Sequence, residues 1–300
     1  MRKLVTFSLL SLIFIGGAHA QLLYKISGKG LQKESYIVGT YHLAPASFAD
    51  EIKGAMEALN SVDAVCGELI MDDVNRSSAT NAMNAAMMLP DGQYIDDLLT
   101  AEQMESLNSY MLEVLGKDFT NAQCRALLGR YRPSALAMQL EMMSYMKMTP
   151  GFNPMKLIDD HFQREAKRMG KRILGLESVE FQIATLFDAE PIEREVEQLM
   201  MLVENPTESH EAMQALADAY FSKDIKAIEK CMLSSVKRGE TTPEEWERIC
   251  TSRNRNWVEQ MPAMMAEGST LFVVGAAHLV GDEGVVELLR KAGYKVKAVK

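Results

Sequence analysis

Several kinds of protein are ruled out by what this sequence lacks. Its four cysteines contain no Cys-x-x-Cys spacing, so a four-cysteine zinc site has no scaffold. Basic residues are outnumbered, with 32 Lys and Arg against 41 Asp and Glu, and the formal charge is −9. That balance argues against nucleic-acid binding, which needs clustered cations to meet phosphates. Beyond residue 20 no apolar run is long enough to span a bilayer. No tandem repeat of short period is visible.

The first twenty residues read as an export signal. Arg2 and Lys3 precede an apolar run from Leu4 to Ile15, Gly16–Gly17 breaks it, and Ala18-His19-Ala20 supplies a small-x-small cleavage pattern. The expected mature chain starts at Gln21, is periplasmic or secreted, and carries a charge of −11 once Arg2 and Lys3 are lost. No cysteine follows the cleavage point, so a lipid anchor lacks its acceptor. An oxidising compartment permits disulfides, and Cys231 with Cys250, flanking a Gly-Glu-Thr-Thr-Pro turn, is the best pair. Residues 21–300 are enough for one domain with a helical insertion at about 75–170, or for two lobes.

The ends of the chain read as sheet and the middle as helices. Leu22 to Ile26 and Ser35 to Gly39 are short β-rich runs around a Gly-Lys-Gly turn, followed by a helical stretch and the apolar strand Ala64 to Glu68. From Asn75 to Gln163 the signals are helical: a Thr100–Gln103 capping box, Gly116 at a helix end, Pro133 at a helix start, and Asn153–Pro154 opening the next helix. Arg172 to Gly175 is a strand. Thr242-Pro243-Glu244-Glu245 opens another helix, which Pro262 ends or kinks. Thr270 to Val274 and Tyr294 to Val299 return to sheet. The expected fold is α/β, a mixed but largely parallel sheet built from the N- and C-terminal segments, with a large central helical region.

Four apolar strands each run into a glycine and then a His or Glu: Gly39-Thr-Tyr-His42, Gly67-Glu68, Gly175-Leu-Glu177 and Gly275-Ala-Ala-His278. In α/β sheets ligands bind beyond the carboxyl ends of strands, and glycine lets the backbone bend or approach a ligand closely. If the strands are parallel neighbours, the four side chains converge. Two imidazoles and two carboxylates suit zinc, manganese, cobalt or iron. In one division of labour both histidines and a carboxylate hold the ion and the other Glu acts as base. Arg253 and Trp257 share a helix face, with Asn254 beside it, so Arg253 could orient Glu68 or hold a substrate carboxylate. His161 and His210 lie in helices without this context and read as surface or packing residues. The 22 methionines fall at helical spacings that predict core filling first, with a groove for apolar peptide or lipid ahead of copper(I) binding.

The ordered set of motifs resembles the TraB/GumN family, which is related to the TIKI proteases. It comprises Gln21-Leu-Leu-Tyr-Lys-Ile-Ser, then Tyr36-Ile-Val-Gly-Thr-Tyr-His-Leu, then Gly175-Leu-Glu-Ser with Gln182. Asp159 ahead of Ala166 and Gly170, Arg253-Asn254 with Trp257, and Leu271-Phe-Val-Val-Gly-Ala-Ala-His-Leu complete it. The resemblance covers residues 21–300 and departs from the pattern at Ser178, where Thr is usual. It implies an EreA/ChaN-like α/β fold and a metal-dependent hydrolase, a peptidase using manganese, cobalt or zinc. Carried over, His42, His278 and Glu68 are the metal positions, and Glu68, Glu177, Arg253 and Asn254 the catalytic ones. The expected partner is a peptide or small-molecule substrate. The alternative is a non-enzymatic periplasmic binding protein for a metal complex, haem-like ligand or signalling peptide.

Overall fold

The computed structural model describes residues 21–187 and 189–300. The export signal expected over residues 1–20 lies outside them. Six strands form one mixed sheet: β1 (Leu23–Ser27), β2 (Ser35–Thr40), β3 (Ala64–Gly67), β4 (Arg172–Gly175), β5 (Thr270–Gly275) and β6 (Lys295–Ala298), in the spatial order β4-β3-β5-β2-β1-β6. The four strands that end in a His or Glu motif are consecutive and parallel. Their register aligns Gly67 with Gly175 and Thr40 with Gly275, so the motif ends leave the sheet at one edge. β1 is antiparallel to β2, to which the Gly28-Lys-Gly30 turn leads, and to β6 on its other side.

β2, β3 and β5 are almost wholly buried, and their uninterrupted apolar character is that of parallel strands covered on both faces. The main core joins them to Ile158, Phe162 and Ala166 of the helix Ile158–Arg168, to Trp257 and Met261 of the helix Ser252–Glu267, and to Val285 and Leu289 of the helix Val285–Lys291. A second core is entirely helical. It packs Leu107 and Met111 of Ala101–Leu115, Leu136 and Leu140 of Pro133–Met148, and Leu199 and Val203 of Ile192–Glu204. The helix Ile158–Arg168 therefore belongs to the sheet, while Ile192–Glu204 belongs to the helical core. Glu195 of that last helix is 1% exposed, receives Arg132 and Ser134, and so ties two of its helices with a satisfied buried carboxylate.

Three local expectations are corrected. The helix expected from Asn153–Pro154 begins at Ile158, because residues 154–156 form a turn. Pro262 does not end its helix, which continues to Glu267. Cys231 and Cys250 are unbonded: Cys250 is buried, with its sulfur turned toward His278, and Cys231 faces a cavity in the helical half. Among the described residues no helix is long and apolar enough to cross a membrane.

Candidate active site

The four strand ends bring His42, Glu68, Glu177 and His278 to one edge of the sheet, and the helix Ser252–Glu267 closes over them. A π-helical turn, Glu247–Thr251, precedes that helix and rephases it so that Arg253, Asn254 and Trp257 are all buried against the strand ends. Arg253 donates back to the carbonyl of Ile249 at 2.9 Å, satisfying an acceptor within that turn.

His278 is held by an amide. Asn254 donates from Nδ2 to the carbonyl of Glu283 at 2.9 Å, which fixes its flip, and its Oδ1 lies 2.6 Å from His278 Nδ1. An amide oxygen only accepts, so Nδ1 carries the proton and the Nε2 lone pair faces inward. The ring lies tilted against Trp257, 4.3 Å centroid to centroid, and burial pushes its pKa down to about 4. At neutral pH this is a neutral imidazole. Burial also pushes the neighbouring Cys250 thiol up to about 12, which makes it a packed thiol rather than a thiolate ligand.

His42 is held by a carboxylate. Chain 44–46 is stitched to the start of the helix Ile158–Arg168 by Ala46 N–H to Lys156 O (2.9 Å) and Ile158 N–H to Ala44 O (3.1 Å). This puts Asp159, in the first turn of the helix, beside the end of β2. Its Oδ1 accepts from Thr40 Oγ1 at 2.5 Å and its Oδ2 from His42 Nδ1 at 3.2 Å. Here too Nδ1 is the donor, and Nε2 is turned away from the partner. The Asp159 charge and hydrogen bond pull His42 upward, toward about 9, although 72% of its side chain is open to water, which screens the pair.

The two carboxylates differ in what they have left to offer. Glu177 is 1% exposed, and both its oxygens are taken: Oε1 by Arg253 Nε (2.9 Å) and Trp257 Nε1 (2.8 Å), Oε2 by Arg253 Nη2 (2.9 Å) and Gln182 (3.1 Å). Glu68 gives Oε2 to Arg253 Nη2 at 2.7 Å, while Oε1 accepts the Gly275 N–H at 2.8 Å and lies 4.0 Å from His278 Nε2. Burial opposes its charge, but the two imidazoles, Arg253 and the Gly275 amide outweigh it and hold the carboxyl below the usual range. Asp159, Thr40, Trp257 and Gln182 thus complete the site. Of these, Asp159 and Gln182 stand out in the sequence only through the family motifs.

The glycines divide in the same way. A Cβ on Gly39 would meet Leu279 at 2.8 Å, and one on Gly67 would strike the amide of Gln163; these glycines allow close packing of protein on protein. A Cβ on Gly275 would instead enter an open hollow, 3.5 Å from Glu68 Oε1, 3.5 Å from His278 Cδ2 and 4.0 Å from His42 Nε2. The hollow over Gly275 is where Glu68, His278 and His42 meet. Two imidazoles pinned through Nδ1, with Nε2 on the side of the hollow, and an ionised carboxylate are residue types that suit a divalent transition metal. Among the described residues no group of three such side chains stands at metal-ligating distances, and Arg253 Nη1 lies 3.3 Å from His278 Nε2. His161 and His210 lie elsewhere: His210 Nε2 pairs with Ser144 at 2.8 Å, and His161 packs against Phe162.

Among curated proteins, a metalloprotease TIKI homolog from Amphimedon queenslandica is 23% identical, covering 87% of this chain and 58% of that protein. The chain thus spans under two thirds of that relative. No solved structure matches. A family model described as TraB/PrgY/gumN matches residues 22–298, a stretch running from before β1 to the end of β6 and taking in all four strand ends, and the chain belongs to that family.

Proposed function

We propose that this protein is a metal-dependent hydrolase acting on peptides, with His42, His278 and Glu68 holding the ion. The observation that carries the reading is the shared pinning of the two histidines, each fixed through Nδ1 by a partner of its own, with Nε2 on the side of the hollow over Gly275. A metalloprotease name on a distant relative agrees with it. A bound divalent ion, manganese, cobalt or zinc, would acidify water and polarise a substrate carbonyl.

The chain's own residues do the rest. Asn254 and Asp159 hold the two imidazole rings. Arg253 holds Glu68 by Oε2, which leaves Oε1, beside the Gly275 N–H, as the carboxylate oxygen that would reach the ion. Glu177 keeps Arg253 in place and has no lone pair to spare, so it is a positioning residue. Trp257 and the buried wall around His278 exclude water from that side, while His42 faces the substrate's approach. We further propose that this chemistry takes place after export, in the periplasm or outside the cell.

A second reading, a binding protein without turnover, draws on the Arg253 guanidinium lying against His278 Nε2, where a ligand atom would otherwise sit. Metal analysis of purified protein, with a peptide panel assayed with and without manganese, cobalt or zinc, separates the two. Metal bound in wild type and lost in His42→Ala and His278→Ala, together with metal-dependent cleavage, supports the hydrolase. Tight metal without cleavage of any peptide leaves the binding protein.

A further inference from the structure

Between the helical core and the end of β2 lies a cavity of about 860 Å³, within the range of binding sites and too large for any one side chain to fill. Most of its wall comes from the helices Pro133–Met148, Ile192–Glu204, Pro206–Phe221 and Ile225–Arg238. Met138, Met201, Met213 and Met232 give it a largely apolar lining of flexible thioethers, which adapt to guests of varied shape. One further wall is the turn that carries His42. The Ala44 N–H donates to Tyr41 O at 2.7 Å, closing that turn, and Tyr41 and Leu43, on either side of His42, both line the cavity. Tyr41 is held there by Tyr220 and Phe221, whose ring centroids lie 5.5 and 6.5 Å away. His42 Nε2 lies beside the hollow over Gly275, so cavity and hollow are neighbours across a single residue.

The lining narrows what the cavity can take. Glu141 and Lys230 are exposed side chains of opposite charge, placed where the cavity meets water, and Arg238 is bonded to Glu240 at 2.6 and 2.8 Å. The charges therefore favour neither an anion nor a cation, and the methionines suit a neutral apolar guest. Hydroxyls are set among them: Ser209 lines the cavity, as do Ser235 and Thr241, whose oxygens are 3.2 Å apart. A hydrocarbon chain would cover these groups without bonding them. A peptide brings amides and carbonyls that hydrogen-bond to them while its side chains fill the apolar space.

We propose, resting on the hydrolase reading, that this cavity seats an apolar run of the peptide substrate beside the bond presented at His42. The preferred peptide then carries several long aliphatic side chains on one side of the scissile bond. Two blocked peptides of equal length are compared, one with a run of leucine and methionine and one with serine in its place. Binding to the metal-free full chain is read by calorimetry, and cleavage is read separately with manganese. The apolar peptide should bind more than about tenfold tighter and be preferred in cleavage. Ala212→Trp, which fills the cavity, should abolish that difference. So should Met138→Glu, which charges the wall at a side chain already 47% exposed. Equal affinity for the two peptides, or no binding of either, overturns the proposal, and laurate bound in their place would make this a lipid site. A preference that persists in either folded variant overturns it too; if Ala212→Trp does not fold, Met138→Glu decides alone. The hydrolase and the cavity fail separately. Cavity-dependent binding without cleavage under manganese, cobalt or zinc sinks the hydrolase and supports the peptide site. Cleavage indifferent to the run and to both variants keeps the hydrolase and overturns the cavity's role.

Discussion

The ends of β2 and β5 carry the same four-residue pattern, Gly-x-x-His, and deliver their imidazoles to the same hollow, yet they do so under opposite electrostatics. His42 leans on an ionised carboxylate and faces water; His278 leans on a neutral amide, buried beneath Trp257. Both partners accept from Nδ1, so the two rings are held in the same orientation. The partner's charge and the surrounding water set the proton affinity, driving one ring up and the other down. Geometry follows the repeated motif, and protonation follows residues that are not repeated.

The largest test of this contrast concerns the buried side. Arg253 lies against His278 and joins Glu68 to Glu177. Arg253→Met leaves two buried carboxylates facing each other without their cation, and breaking a buried pair in this way costs about 3–5 kcal/mol. Denaturant unfolding should show that loss for Arg253→Met and almost none for Asp159→Asn at the exposed end. Equal losses would mean that the β2 end is as tightly built as the β5 end.

Ligand removal sharpens the comparison. His42→Ala and His278→Ala should each lower divalent-metal affinity by more than about 100-fold, read by competition with a chromogenic chelator. Only His278→Ala should also lower the melting temperature, since it opens a hole under Trp257 and strands the Asn254 oxygen, at a cost of about 1–3 kcal/mol. Gly275→Ala should come next. Its methyl enters the hollow at ordinary contact distances, so the protein should fold as wild type while losing metal. Undiminished metal affinity in that variant would move the site away from the hollow.

The strand ends were legible in the sequence because each combines an apolar run, a glycine and a chemically active side chain within a few residues. The helix bearing Arg253 and Asn254 was legible for a similar reason, since it leads directly into β5. The roles of Asp159 and Gln182 were not, because their contacts depend on how distant segments pack: Asp159 meets His42 across 117 positions, and Gln182 meets Glu68 across 114. Glu177 looked like a second Glu68 until its four hydrogen bonds were seen. The glycines looked equivalent, and only Gly275 faces the hollow. The cysteine pairing failed because a turn between two cysteines says nothing of what each sulfur packs against, which for Cys250 is His278.

The smallest effect is the most specific, and it exchanges the two partners. In metal-stripped protein Asp159→Asn removes the charge that raises His42, and NMR titration of its ring should move from near 9 toward the ordinary 6.5. A raised histidine stabilises the fold fully below its unfolded value, and that contribution fades as pH climbs through the folded value, here between about 6.5 and 9. Wild type should therefore lose a little stability across that interval, and Asp159→Asn should lose less, the difference kept small by the water around His42. His278 has the opposite sign. Its folded value lies below the unfolded one, so the unfolded chain binds the extra proton between about 4 and 6.5, and stability falls as pH drops through that interval. Asn254→Asp should raise His278 and soften that acid loss, making the β5 end behave like the β2 end. If Asn254→Asp leaves the His278 titration in place, burial alone sets its proton affinity and the partner's charge has no part in the difference.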